Sequence, residues 1–118
     1  MKLQREIDID IKKINDVSVV KLGNMIDFYN APVFKTIINS LIDEDKKSVI
    51  INLAKINHID SSGIGALITS MIDFKKAGGS LKICSVNKPV MRIFEMTKAE
   101  TLFEIYESEA DALNSFKK

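Results

Sequence analysis

The sequence predicts an α/β fold: a mainly parallel, mixed β-sheet with an N-terminal antiparallel edge strand and about four α-helices packed on it. Three observations carry that expectation. Two strand-like segments near the N-terminus are separated only by a turn. From residue 31 onward, apolar patterns of helical period alternate with short, nearly continuous apolar runs. Strands that alternate with helices need right-handed crossovers, which make neighbouring strands parallel and lay the helices on the sheet.

The elements follow in order. Ile7, Ile9 and Ile11 alternate with Asp8, Asp10 and Lys12, the period of a strand with one covered face. Asn15-Asp16 offers a turn before Val17 to Leu22, so these segments read as two strands in a hairpin-like connection. Val33, Phe34, Ile37, Ile38, Leu41 and Ile42 recur at helical spacing, with Asn30 as a cap and Pro32 in the first turn, predicting a helix over about 31–44. Asp43-Glu44-Asp45-Lys46-Lys47 is a solvated charge run, and Val49 to Leu53 reads as a strand buried on both faces. Ser61-Ser62-Gly63-Ile64-Gly65 leads into Ala66 to Ala77, with Leu67, Ile68, Met71, Ile72 and Phe74 apolar, a second helix that Gly78-Gly79 ends. Ser80 to Val86 is a strand, Pro89 to Met96 a short helix packing Val90, Ile93 and Phe94, and Leu102 to Tyr106 another strand. Ser108 with Asp111 three residues on resembles a capping box for a last helix carrying Ala112, Leu113 and Phe116.

Composition narrows the function classes. The 118 residues, 46% apolar and 28% charged, match one globular domain spanning 1–118. Seventeen Lys and Arg against sixteen Asp and Glu leave a formal charge of +1 with no long basic run, so nucleic acid is not an expected partner. No apolar stretch reaches the roughly 18–20 residues of a membrane span, and Met1 to Glu6 does not open a signal peptide. A cytoplasmic protein without direct membrane insertion is expected. Cys84 is the one cysteine and reads as a buried filler; His58 is the one histidine, so no zinc-ligand cluster forms. Met71 and Met91 read as packing groups, and His58 as a solvent-facing loop residue.

One segment carries chemistry. Ile56 to Gly65, with Asp60-Ser61-Ser62-Gly63-Ile64-Gly65 at its end, lies where a buried strand has finished and a helix begins, at the carboxyl edge of the sheet. Its hydroxyls and glycines allow a partner's backbone to approach, and the positive end of the helix tolerates added negative charge. A phosphate on Ser61 would add about −1.5 to −2 charges, enough to change what docks there. The plainer reading is that Asp60 or Ser61 merely caps the helix and the glycines only let it pack closely. A nucleophile-elbow hydrolase needs a glycine two residues before its serine, whereas Ser61 has Ile59 there and Ser62 has Asp60. The phosphate-binding G-x-x-x-x-G-K-S/T loop does not occur. Gly63 and Gly65 are expected to be the positions where a side chain hurts most, in a partner's groove or in helix packing.

These residues resemble a known family. Asp60 to Gly65, after the strand Val49 to Leu53 and before an apolar helix ending Ala77-Gly78-Gly79, resembles the signature of the STAS domain, especially the bacterial anti-sigma factor antagonists. Gly23 to Asp27 resembles the family's turn after the second strand, and Lys88 to Phe94 its short third helix and preceding loop. The resemblance implies a non-catalytic switch that needs no cofactor and no metal of its own. Unphosphorylated, it would bind an anti-sigma factor that is also an ATP-dependent serine kinase, freeing a sigma factor. Phosphorylation would break that complex, and a metal-dependent serine phosphatase would reset it. Ser61 matches the acceptor position, Ser62 its neighbour at the helix start, and Asp27 and Asp60 the acidic positions near it. Partner contacts are then expected from Asp27, Asp60, Ser61, Ser62, Gly63, Ile64 and Gly65. Phe28-Tyr29 departs from the more polar continuation frequent in the family. The competing expectation is a STAS interaction or scaffold module, such as a soluble subunit of a membrane-transport or signalling complex, with no phosphoswitch.

Overall fold

A computed structural model describes residues 7–44 and 47–117. Residues 1–6, read above as opening no signal peptide, lie outside the described residues, as do Asp45 and Lys46 of the charge run. Asn15 and Asp16 take φ of 49° and 68°, the paired left-handed geometry of a type I′ turn. That turn folds β1 (Ile9–Ile14) antiparallel onto β2 (Val17–Leu22). The chain then runs through α1 (Ala31–Asp43), β3 (Ser48–Asn52), α2 (Ser61–Lys76), β4 (Ser80–Cys84) and α3 (Lys88–Met96). A 3₁₀ turn at Ala99–Thr101, β5 (Ile105–Tyr106) and α4 (Glu109–Ser115) complete it. The sheet order is β1-β2-β3-β4-β5, parallel throughout except for the antiparallel β1 edge, as the sequence predicts.

The period of two along each strand splits the core between the faces of the sheet. Val20, Leu22, Val49, Ile51, Leu81 and Ile83 face Phe34 and Ile38 of α1, Leu67 and Phe74 of α2, and Val90 and Phe94 of α3. On the other face Val17, Val19, Ile50 and Cys84 pack against Ala112 of α4. Val49-Ile50-Ile51 is therefore buried on both sides. Lys35 of α1 reaches Asp73 of α2 at 2.9 Å, a surface tie between neighbouring helices. Among the described residues, no helix is long and apolar enough to cross a membrane.

Three local expectations change. Asn30 stands at the start of α1, but its side chain makes no capping bond to the helix. β4 stops at Cys84 because Ser85 is left-handed, with φ of 62°, which breaks the ladder. The last strand is two residues long rather than five. Lys98 is left-handed and starts the 3₁₀ turn; Leu102 is then exposed while Phe103 turns inward to Phe94, 5.9 Å between ring centroids. The expected cap of the last helix is present: Ser108 Oγ accepts from the Asp111 amide at 3.1 Å and starts a helix of seven residues.

Lys82 holds that short helix down. It is only 7% exposed, on the face of β4 that α4 covers. Its ammonium donates to Ser115 Oγ at 2.7 Å and lies 4.0 Å from the Phe116 ring centroid, with the Glu104 carboxylate at 3.6 Å. A cation at the carboxyl end of a helix also meets the negative end of its dipole. Cys84 sits under the same helix, and burial pushes its thiol pKa up from the ordinary thiol value. At neutral pH its thiolate is scarce, so labelling by a thiol reagent is expected to be slow. Lys82→Ala is expected to weaken the attachment of α4 by about 1.5–3 kcal/mol, the range for hydrogen bonds to charged groups. Labelling kinetics of Cys84 check this: the variant should react faster than the parent at the same pH.

Candidate functional site

β3 ends at Asn52, and the eight residues that follow carry the chain to α2. Two isoleucines pin this loop: Ile56 and Ile59 are each 2% exposed, while Asn57 and His58 between them face solvent. Asn87, just before α3, straps it from the other side. Its Nδ2 lies 2.9 Å from the carbonyls of both Ala54 and Ile56 and 3.2 Å from Asn57 Oδ1. Asn52 turns the loop at its start, accepting from the Ala54 amide at 2.9 Å and donating to Glu109 of α4 at 3.0 Å.

The loop delivers Asp60 in an extended conformation, φ −97° and ψ 179°, as the cap of α2. Asp60 Oδ1 accepts from the Gly63 amide at 2.8 Å, and its carbonyl accepts from the Ile64 amide at 3.0 Å. Of the two residues the plainer reading left open, Asp60 is therefore the cap. Ser61 is the first residue of the helix and is exposed, and its hydroxyl makes no hydrogen bond to any described residue. Ser62 is half-buried beside it.

The two glycines play different parts. A β-carbon on Gly63 would collide with the carbonyl oxygen of Ile26 and come within 2.7 Å of Ile59 Cγ1. Gly63 thus lets the loop after β2 lie directly against the first turn of α2. Gly65 has nothing within 4 Å of such an atom and is exposed one turn on from Ser61. Of the two ways a side chain was expected to hurt, in a partner's groove or in helix packing, the second does not apply to Gly65, whose surroundings are open.

The loop brought up by Gly63 carries Asp27, Phe28 and Tyr29. Asp27 is 7% exposed, and its Oδ1 accepts from the amides of Tyr29 at 2.9 Å and Asn30 at 3.0 Å. Its carbonyl accepts from the Ala31 amide at 2.9 Å, so Asp27 does for the turn leading into α1 what an N-cap does. Asn30 returns the bond, its Oδ1 accepting from the Asp27 amide at 2.8 Å and its Nδ2 donating to the Met25 carbonyl at 3.0 Å. Asn30's side chain is thus spent inside the loop, which explains why it does not cap α1. Phe28 and Tyr29 ride on this fixed turn, 72% and 64% exposed, edge to face with centroids 5.6 Å apart.

The structure therefore gathers Asp60, Ser61, Ser62, Gly63, Ile64 and Gly65 on one helix start, with the Asp27 loop beside them. Ser61 and Gly65 are open to solvent, whereas Gly63, Ile64 and Asp27 are buried. Sequence reasoning missed Asn87; the signal was an amide residue directly before a proline-started helix. Met71 and Met91 pack on the core edge, and Cys84 is fully buried, as expected. Among the described residues no group of three or more His, Cys, Asp or Glu side chains could hold a metal ion.

Known proteins share the fold that carries this arrangement. A family model described as the STAS domain matches residues 8–112. The anti-sigma-B factor antagonist of Bacillus subtilis (strain 168) is 28% identical over 99 residues, which are 84% of this chain and 90% of that protein. An anti-sigma factor antagonist from Mycobacterium paratuberculosis has the same fold, with a TM-score of 0.85 at 20% identity over 98% of this chain and 100% of that one. The Bacillus cell fate determinant SpoIIAA in its phosphorylated form has a TM-score of 0.71 at 15% identity, over 92% and 99% of the two chains.

The two glycines give opposite expectations. Gly65→Ala adds a better helix former in open space and should stabilise the fold by about 0.5–1 kcal/mol. Gly63→Ala drives a methyl group into a backbone carbonyl and should destabilise it. Urea denaturation of both variants measures the difference, and equal effects would refute the assignment of Gly63 as the packing glycine.

Proposed function

This chain belongs to the STAS domain family, and from that membership we propose that it is an anti-sigma factor antagonist working as a phosphorylation-controlled binding switch. The docking surface is the start of α2 with the Asp27–Tyr29 loop beside it, and the switch is Ser61. One observation carries the reading: Ser61 is exposed at the first position of α2 while Asp60 does the capping. The hydroxyl is available to a kinase because no described residue uses it. Relatives of this chain named as anti-sigma factor antagonists, and a neighbour in fold solved in a phosphorylated form, support the same reading.

In the unphosphorylated state the partner is an anti-sigma factor with serine kinase activity, which supplies its own ATP and magnesium. Phosphorylation places about −1.5 to −2 charges at the centre of the docked surface. The positive end of α2 offsets part of that charge, so the fold survives while the complex does not. A metal-dependent serine phosphatase returns the protein to its binding form. The chain itself acts without catalysis on this reading: among the described residues no base is hydrogen-bonded to Ser61, and His58 stands in the solvent-facing loop.

The experiment compares Ser61→Ala and Ser61→Asp for binding to the anti-sigma factor, alongside phosphosite mapping on protein from growing and stressed cells. Ser61→Ala should bind as the parent does and Ser61→Asp at least about tenfold more weakly, a loss of roughly 1.4 kcal/mol. Both should lie within about 0.5 kcal/mol of the parent in stability, as surface substitutions do. Equal binding by the two variants, with Ser61 unmodified in every state, would leave a constitutive STAS interaction module instead.

A further inference from the structure

β1 stands at the end of the sheet, and among the described residues nothing pairs with its outer edge. The opposite edge strand, β5, is only two residues long, a length that itself discourages further pairing. β1 has six residues, and its register shows which backbone groups point outward. Ile14 and Val17 flank a two-residue turn, so they exchange hydrogen bonds, and alternation gives the same inward role to Lys12 and Asp10. Asp8 fixes the parity independently. Its carbonyl accepts from the Gly23 amide at 2.7 Å, and its amide donates to Asn24 Oδ1 at 2.9 Å. The amides and carbonyls of Ile9, Ile11 and Lys13 therefore face away from β2.

We propose that β1 pairs antiparallel with β1 of a second copy, about a two-fold axis through Ile11, so that one sheet runs across a dimer. The charges on the strand select this register. Centred on Ile11, Asp10 lies opposite Lys12 of the other copy, and the symmetry makes that ion pair twice. Ile11, 39% exposed in the single chain, meets its own counterpart. A shift centred on Asp10 sets Asp10 against Asp10, and one centred on Lys12 sets Lys12 against Lys12. Like charges directly opposite one another are unfavourable, so both neighbouring registers are rejected. Charged edge strands usually guard against pairing. Here the signs are opposite and symmetric about one apolar residue, so they exclude every near register but one. Lys12 also lies 3.9 Å from Glu109, which holds its side chain on the α4 face of the sheet, where Asp10 of the other copy would arrive.

Sedimentation equilibrium of the whole chain at low salt, from micromolar to millimolar concentration, tests this. The mass should rise from 13.2 kDa toward twice that value and fall back when salt is added. Asp10→Lys sets like charges opposite each other while sparing the contact between Lys12 and Glu109, and it should abolish the rise. Combining it with Lys12→Asp restores opposite charges and should restore the rise. Ile11→Pro removes an outward amide without breaking a bond to β2, and it should also leave a monomer. A mass of 13.2 kDa at every concentration, or a dimer indifferent to all three variants, would overturn the proposal.

Discussion

The site depends on the absence of one β-carbon. The carbonyl of Ile26 and the first turn of α2 approach so closely at Gly63 that no side chain fits between them. The two segments are far apart in sequence, yet the parallel pairing of β2 with β3 ends both strands at the same edge of the sheet. Crossover topology brings the loops near each other, and the glycine lets them touch. A loop held off by even one methyl group would carry Phe28 and Tyr29 away from Ser61.

Two aspartates then relieve the exposed residues of structural duty. Asp60 takes the Gly63 amide and Asp27 takes those of Tyr29 and Asn30, so Asp60 caps α2 and Asp27 fixes the turn before α1, leaving the exposed side chains between them out of both bonds. The electrostatic consequence can be weighed. A helix start is worth about half a positive charge, and Asp60 already brings a full negative one. A phosphate of about −1.5 to −2 on Ser61 would leave the surface strongly negative in sum. Such a charge would fall on a docked partner more than on the fold, since no described residue bonds to the Ser61 hydroxyl.

Much of this was legible in the sequence, and the limits have physical causes. The hairpin, the doubly buried β3 and the helices α1 and α2 follow from periodicity, because their environments repeat regularly along the chain. Asp60 to Gly65 was visible because its parts are contiguous. Gly63 and Gly65 look alike in sequence; only the neighbour that each one meets separates them. Asp27 read as an acidic residue near an acceptor, but its carboxylate is largely committed to its own turn. Asn87 escaped notice because its partners, Ala54 and Ile56, lie on another loop more than thirty positions earlier. Leu102 to Tyr106 looked like a strand because apolar residues packing a turn onto a core have the same composition as a short strand.

Asn87, Asp60, Asp27 and Gly63 together carry the mechanical demands of this end of the molecule, and Asp27 and Gly63 are buried. Phe28, Ser61 and Gly65, all exposed, carry almost none. Sequence change at those three exposed positions is therefore nearly neutral for folding and open to whatever approaches this end of the molecule. A duplicated copy of such a protein can acquire a new partner, or lose an old one, without first gaining spare stability. Several proteins built on such a frame could then stay distinct in one cell, insulated from each other by a few surface side chains.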